Sequence, residues 1–200
     1  MKQKLPNNVI KNIKKNNRKI SEEQLEIIEY GLESLYLTFT KIVIILLLSI
    51  ILGILKETLL MILFYNIIRL FAFGLHAKNS IACLLTSLIL FVGGAYISMY
   101  LNIDLIIKII LSLTCIILIA IYAPADTEKR PLINDKKRKR FKILSIIISF
   151  ILTFLIIYYK DNIISNFMLI GFIESTIMVL PITYKIYGLP YNNYKSYREI

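Results

Sequence analysis

Long apolar runs separated by short polar breaks make up most of the chain. A helix that crosses about 30 Å of hydrocarbon needs about 20 mostly apolar residues. Six runs approach that length, and we expect each of them to span a bilayer. The runs cover residues 35–55, 58–74, 80–100, 103–124, 141–159 and 163–184. The pattern therefore predicts an all-α, polytopic membrane protein with about six transmembrane helices.

A shorter periodic stretch precedes the first run. Its apolar residues recur every three or four positions, at Leu25, Ile28, Leu32 and Leu35. That spacing puts them on one face of a helix, and Ser21 with Gln24 has the spacing of a capping box at its start. We therefore predict an N-terminal amphipathic helix that lies on the membrane surface. The residues before it are polar and basic, so no removable signal peptide is predicted.

Composition and charge agree with a membrane protein. Of the 200 residues, 57% are hydrophobic and only 18% are charged, which is more apolar surface than a soluble domain of this size can bury. The formal net charge is +11, yet the basic residues stand in blocks between the runs and no helix has a continuous basic face. This distribution argues against a nucleic-acid partner and for a topological role.

The basic blocks also predict the orientation of the chain. They precede the first run, separate the fourth from the fifth, and follow the sixth. Six crossings from a cytoplasmic N-terminus place all three blocks in the cytoplasm, as the positive-inside rule requires. We predict a multi-pass protein of the cell membrane with both termini in the cytoplasm and the 74–79 break at the cytoplasmic face. A patch for anionic lipids is the less favoured explanation of the stretch NDKKRKRFK.

The polar break GLHAKNS holds the chain's single histidine, His76, and Cys83 follows seven positions later. In one straight helix the two residues would lie about 10.5 Å apart along the axis, too far for a hydrogen bond. The chain must therefore break between them if they act together. Gly74 permits such a break, and Asn79 or Ser80 can cap the next helix. The imidazole could then accept the thiol proton and later donate a proton to a leaving amine.

Spacing alone favours a plainer interpretation of this pair. A cysteine in an apolar helix is ordinarily a small hydrophobe, and a histidine at a membrane interface is ordinarily an amphipathic rim residue. One histidine and two cysteines do not complete an ordinary four-ligand zinc site, so we predict no metal and no cofactor. Cys115 lies inside the fourth run, where packing explains it.

These patterns divide the chain into three parts. Residues 1–34 form a basic cytoplasmic segment with the interfacial helix, and 35–184 form a single transmembrane domain. That domain contains the hairpin 58–100, which carries His76 and Cys83, and a basic cytoplasmic loop at 125–140. The remainder, after residue 184, is a cytoplasmic C-terminal tail at 185–200.

The residues around the break resemble a known family. Arg69, Gly74, His76, Ala77 and Cys83 have the spacing R-x4-G-x-H-A-x5-C, which resembles the core motif of the AgrB family, the accessory gene regulator membrane peptidases. A second stretch, YAPADTEKRPL, looks like the family's P-x-D-T-x-x-K/R-P segment after the fourth span. The resemblance extends to chain length, span number and the positions of the basic blocks.

By that resemblance, Cys83 is the nucleophile and His76 its general base. The family cleaves an AgrD-like quorum-sensing propeptide near its C-terminus and holds the N-terminal portion as a thioester on the enzyme cysteine. An internal Cys or Ser of the peptide then takes over the acyl group, which gives a cyclic thiolactone or lactone. A pocket that restricts water favours cyclisation over hydrolysis. The resemblance implies a cysteine endopeptidase whose partners are the propeptide, the lipid bilayer and a second copy in a homodimer.

Arg69 and Ser80 are further candidates near the pair. Arg69 lies about two helical turns before His76, and it would bind a substrate carboxylate or stabilise developing negative charge. The alternative role for Arg69 is a structural pair with Glu174, the acidic residue inside the sixth run. Ser80 and Asn79 are the candidates to orient His76, and helix capping is the alternative for both.

Asp126, Lys129 and Arg130 are candidates in the second motif. Asp126 would contact an Arg or Lys side chain at the cytoplasmic surface or cap a short helix. Lys129 and Arg130 would attract an acidic propeptide tail, and a solvated charged loop is the more favoured alternative for these two.

Two non-enzymatic classes stay open. A small peptide transporter or exporter would use broken helices and polar residues at mid-membrane, for which Glu174, Lys108 and Asn66 are the candidates. The runs show no evident internal repeat, which argues against it. A membrane scaffold or sensor is the third class, and an inert Cys83 thiol at neutral pH would favour it.

Overall fold

The structure is a computed structural model that describes residues 22–75, 79–127, 131–160 and 163–195. Regular secondary structure in these ranges is helical, which confirms the predicted all-α class. The helices are α1 (Glu22–Ile51), α2 (Leu55–Ala72), α3 (Ser80–Tyr100), α4 (Leu105–Tyr122), α5 (Asp135–Tyr158), α6 (Ile163–Ile177) and α7 (Pro181–Ile186), and a 3-10 turn follows at Asn193–Lys195.

Helix α1 is continuous where the sequence predicted an interfacial helix followed by a first span. No proline falls between residues 22 and 51, so nothing removes a backbone hydrogen bond at the predicted junction. The chain divides into two compact units, Met1–Leu48 and Ser49–Ile200. The candidate site belongs to the second unit, and the position of the first on a membrane surface stays a prediction.

Helix α6 is the element around which the second unit packs. It contacts α2, α3, α4 and α5, and its buried residues lie on all sides of the helix, as expected of a helix enclosed by others. Gly171 allows a close approach of α6 to α2: an added Cβ there would lie 3.0 Å from the backbone nitrogen of Tyr65 on α2. Small residues at such crossings let helix backbones pack tightly.

Large apolar side chains are exposed along the outward faces of α3, α4 and α5. Those more than half exposed include Ile81, Leu85, Ile89, Ile106, Ile110, Ile117, Phe150 and Phe154. Soluble proteins rarely expose so much contiguous apolar surface, whereas a bilayer requires it. These three helices are long and apolar enough to cross a membrane.

The described helices cover all six predicted runs, although the number of crossings stays a prediction. Thr38–Ile51 and Ile163–Ile177 are apolar but shorter, and α2 carries Lys56, Glu57 and Arg69 within 18 residues. The sixth run, predicted as one helix over 163–184, is instead broken after Ile177. Pro181 begins α7 and has no N–H with which to continue the hydrogen bonds of α6.

Helix α5 begins earlier than predicted. The side chain of Asn134 accepts hydrogen bonds from the backbone N–H groups of Lys136 and Lys137 at 3.0 and 3.2 Å, which caps the helix at Asp135. The basic stretch that the sequence predicted as part of the loop 125–140 therefore forms the first turns of α5.

Candidate functional site

The break between α2 and α3 is held by backbone hydrogen bonds to two other segments. The Gly74 N–H donates to the Ala125 carbonyl at 2.9 Å, and the Ala125 N–H donates to the Ala72 carbonyl at 2.9 Å. The next residue, Leu75, donates to the carbonyl of Met178 at 2.9 Å. The end of α2 is thus tied to the loop after α4 and to the break after α6.

Gly74 is required at this point for two reasons. Its φ is +116°, a conformation that side chains with a Cβ rarely adopt. An added Cβ would also lie 2.9 Å from the Met178 carbonyl oxygen, which belongs to the backbone and cannot move aside easily. Gly74, which the sequence predicted as the residue that ends α2, therefore lies in a turn that requires a glycine.

Arg69 supports the same turn from inside. Its Nη2 donates to the carbonyl oxygens of Gly74 at 3.0 Å and Leu75 at 2.7 Å. Its Nη1 donates to the hydroxyl of Tyr65 one helical turn earlier. The structural pair with Glu174 that the sequence left open does not form, since no hydrogen bond or ion pair joins these two described residues.

Cys83 lies in the first turn of α3, on the other side of the break. Its thiol is free and half-buried, and its N–H donates to the Asn79 carbonyl at 2.9 Å. Asn79 is the N-cap residue but makes no side-chain cap hydrogen bond, and Ser80 is exposed. Helix α3 thus begins where the sequence predicted, without the side-chain cap.

A buried polar group on α2 lies against the cysteine helix. Tyr65 is 4% exposed, and its hydroxyl accepts a hydrogen bond from Arg69 Nη1. The Tyr65 ring packs edge-on against Phe91 of α3, with centroids 5.2 Å apart. Phe91 belongs to a π-helical segment, Ile89–Gly93, and such segments often occur at functional sites.

Glu174 of α6 is 9% exposed. An added Cβ at Gly94 of α3 would lie 2.6 Å from Glu174 Oε1, so the glycine provides the space for the carboxyl group. Its Oε2 has no hydrogen-bond partner in the described part of the chain. The carboxyl group is therefore enclosed by α2, α3 and α6 rather than exposed to a channel.

Asp126 connects the loop after α4 to the end of the chain. It is 2% exposed and accepts hydrogen bonds from the backbone N–H groups of Leu132 (3.2 Å), Asn193 (3.1 Å) and Tyr194 (2.8 Å). Arg138 Nη1 lies 4.0 Å from Oδ2. Both roles that the sequence left open have a counterpart here: Asp126 lies near Arg138, and it accepts from the first two N–H groups of the 3-10 turn Asn193–Lys195.

Residues 184–195 pack against this region. The Tyr184 hydroxyl donates to the Ala125 and Asp126 carbonyls at 3.3 and 3.0 Å. The Tyr187 hydroxyl lies 2.7 Å from Thr86 Oγ1 on α3, one turn after the cysteine. The segment predicted as a tail, 185–200, is thus bound to the cysteine helix and to the second motif as far as Lys195.

The Tyr191 hydroxyl donates to the Tyr122 carbonyl at 3.1 Å. Burial raises the pKa of Tyr191 to about 12, so the neutral phenol is the form that packs here. The hydrogen bond ties the C-terminal segment to the end of α4.

The structure therefore brings together Arg69, Gly74 and Asp126, because the Ala72–Ala125 backbone hydrogen bonds join their segments. His76, Lys129 and Arg130 lie outside the described residues. Sequence reasoning missed Tyr65, Met178 and Tyr184. A signal existed for Tyr65, since it stands four residues before Arg69 and so shares its helix face; none existed for the other two.

Comparisons with known proteins agree with the motif. The model of the family described as accessory gene regulator B matches residues 6–179. A putative AgrB-like protein of Clostridium acetobutylicum is 35% identical over 92% of this chain and 88% of its own. A putative AgrB-like protein of Listeria innocua is 33% identical over 92% of this chain and 91% of its own length. The accessory gene regulator protein B of Staphylococcus aureus is 35% identical over 78% and 82%. No solved structure matches.

Proposed function

Because the chain belongs to the accessory gene regulator B family, we propose that it is a membrane-embedded cysteine endopeptidase that also cyclises its product. Membership of the family supports a role in agr quorum sensing and in the processing of an autoinducer peptide. The proposal adds the reaction. The substrate is an AgrD-like propeptide, and the product is a cyclic thiolactone or lactone.

In the proposed reaction His76 takes the proton of the Cys83 thiol, and the thiolate attacks the scissile carbonyl carbon. The C–S bond forms, the C–N bond breaks, and the released amine takes the proton from the imidazolium. The N-terminal part of the propeptide is then held as a thioester. Attack by an internal thiol or hydroxyl transfers the acyl group, closes the ring and returns the proton to Cys83.

One observation supports this assignment most directly: the backbone is fixed on both sides of the break. Arg69 and Met178 hold Leu75, the residue before His76, through hydrogen bonds of 2.7 and 2.9 Å. Cys83 follows in the first turn of α3, where its own N–H donates to the Asn79 carbonyl at 2.9 Å. A rigid support on each side is what a nucleophile and base need.

The transporter alternative has no comparable support. Of its three candidates, Glu174 is enclosed between helices and Asn66 donates to the Ile62 carbonyl of its own helix on an exposed face. Lys108 donates to the Lys160 carbonyl at 2.9 Å. Each group bonds or packs in a different part of the molecule, so they do not line one path.

Co-expression of the chain with its cognate propeptide tests the proposal. Cys83→Ala and His76→Ala are expected to abolish processing, as followed by the mass of the peptide. Cys115→Ala is the matched control, because Cys115 is a free cysteine that is 5% exposed inside α4. Retained processing in Cys83→Ala would overturn the assignment.

A further inference from the structure

Tyr65 carries a buried hydroxyl whose hydrogen meets no acceptor in the described part of the chain. The residue is 4% exposed. Its oxygen accepts a hydrogen bond from Arg69 Nη1, which leaves the O–H free to donate. A buried donor without an acceptor is costly, so we expect a partner that arrives only with the substrate.

Arg69 makes this hydroxyl a stronger donor. The guanidinium donates into the phenol oxygen and its carbon lies 5.2 Å from the ring centroid. Hydrogen bonds in a chain polarise one another, and the effect is larger where water is excluded. The O–H of Tyr65 is therefore more polarised than that of an isolated tyrosine.

The hydroxyl is also held in one place. Phe91 packs edge-on against the ring at a centroid distance of 5.2 Å and an angle of 78°. On the other side the backbone of Tyr65 meets α6 closely at Gly171. A donor that is fixed before the reaction stabilises developing charge without having to reorganise.

The hydroxyl lies on the side of α2 that packs against the cysteine helix. The Tyr65 ring contacts Phe91 of α3, the helix that carries Cys83 in its first turn. Arg69, which donates to the hydroxyl, also donates to the Leu75 carbonyl in the break that leads to this helix, and it supplies the positive charge that developing negative charge requires.

We propose that the Tyr65 hydroxyl donates a hydrogen bond to the oxyanion that forms when Cys83 attacks the scissile carbonyl. This inference rests on the function proposed above. As the C–S bond forms, the π electrons of the carbonyl move onto oxygen, and the hydroxyl donates to that oxygen while it keeps its own proton. The electrons return when the C–N bond breaks. Tyr65 is thus a catalytic residue that contacts the reacting oxygen.

Two thiol-directed probes separate this role from a structural one. p-Nitrophenyl acetate acylates a thiol through an oxyanion, whereas iodoacetamide alkylates it by displacement and forms none. The experiment uses the full chain in lipid nanodiscs with Cys115→Ala, so that Cys83 is the remaining thiol. Tyr65→Phe is expected to slow acylation about 10²-fold and to leave the alkylation rate unchanged.

The other outcomes are equally definite. If Tyr65→Phe leaves acylation unchanged, or slows both reactions equally, the inference is overturned. Tyr191→Phe is the matched control, since it removes a hydroxyl that donates to the Tyr122 carbonyl at 3.1 Å. Its rates of acylation and alkylation should both equal those of the parent chain. Failure of the proposed function is distinguishable, because Cys83→Ala would then still process the cognate propeptide, whereas the two probe rates report only on the Tyr65 hydroxyl.

A second substitution preserves the fold in case Tyr65→Phe does not. 3-Fluorotyrosine at Tyr65 retains the ring and the hydroxyl and makes the hydroxyl a stronger donor. It should accelerate acylation and leave alkylation unchanged. Acylation that is unchanged or slower would contradict the inference.

Discussion

The guanidinium of Arg69 holds the carbonyl oxygen of Leu75 at 2.7 Å. This bond crosses from the last turn of α2 to the residue that precedes the proposed general base. With a second bond to the Gly74 carbonyl at 3.0 Å, it pairs two carbonyl groups of buried residues in the turn that follows α2. Arg69 is therefore a positioning residue in this structure, and its planar fork is the feature that lets it bind several oxygens at once.

Arg69→Lys tests that role. An ammonium group cannot span the Tyr65 hydroxyl and both carbonyls, so at least one charged hydrogen bond, worth about 1.5–3 kcal/mol, is lost. We expect propeptide processing to fall about 10–100-fold, in line with that free energy, although the positive charge is kept. Lys56→Ala, at the exposed start of α2, is the control and should process normally. Full activity in Arg69→Lys would show that charge alone is needed.

Gly74→Ala is expected to damage both folding and processing. The backbone strain costs about 1–3 kcal/mol, and the new Cβ meets the Met178 carbonyl oxygen at 2.9 Å. Gly53→Ala is the matched control, because Gly53 also has a positive φ (+71°) but no atom within 4 Å of the added Cβ. Folded yield by size-exclusion chromatography and peptide mass measure the two effects. Equal losses in both variants would mean that the contact with Met178 is unimportant.

Asp126→Asn should destabilise the second unit by about 3 kcal/mol, because an amide N–H₂ then faces backbone N–H donors in a buried position. Asp104→Asn is the control, since Asp104 precedes α4, is exposed, and makes no side-chain cap hydrogen bond. The fraction of protein that stays folded after heating in detergent measures the difference. If both variants melt together, the bonds from Asp126 to Asn193 and Tyr194 contribute little.

Gly171→Ala should separate α2 from α6. The added Cβ would lie 3.0 Å from the Tyr65 nitrogen and 3.1 Å from Phe64 Cβ, and such overpacking typically costs about 1–3 kcal/mol. Because Tyr65 moves with α2, acylation of Cys83 by p-nitrophenyl acetate should slow more than alkylation by iodoacetamide. Gly93→Ala, which has nothing within 4 Å of the added Cβ, should leave both rates unchanged. A reversed pattern between the two glycines would contradict this packing.

The sequence predicts the local features of the site well. Hydrophobic periodicity placed α3 and α4 within a few residues of their observed bounds, and Gly74 marked the end of α2 because a glycine permits the required φ. Cys83 falls in the first turn of α3, as the spacing from Ser80 indicated. These features depend on neighbouring residues, and neighbouring residues are what a single sequence displays.

The long-range contacts could not be predicted in the same way. Asp126 binds the backbone of Asn193, 67 residues later, and backbone N–H groups carry no signature in a sequence. The sequence left two roles open for Arg69, a pair with the Glu174 carboxylate and an interaction with the substrate. In the structure Arg69 instead binds the carbonyl oxygens of Gly74 and Leu75 in the adjacent turn. The break after α6 was missed because the apolar run continues through Met178 and Val179 to Pro181. A proline can interrupt a helix or begin a new one, and the sequence did not show which of these Pro181 does.

The most direct test of the account is the intact mass of the chain after brief incubation with its cognate propeptide. The proposal predicts an adduct with the mass of the propeptide's N-terminal portion, attached at Cys83, released by hydroxylamine and retained in Cys115→Ala. In Cys83→Ala the adduct should be absent and the propeptide uncut. A cyclised product from Cys83→Ala, or an adduct that maps to another residue, would contradict the central claim that this thiol carries the acyl group.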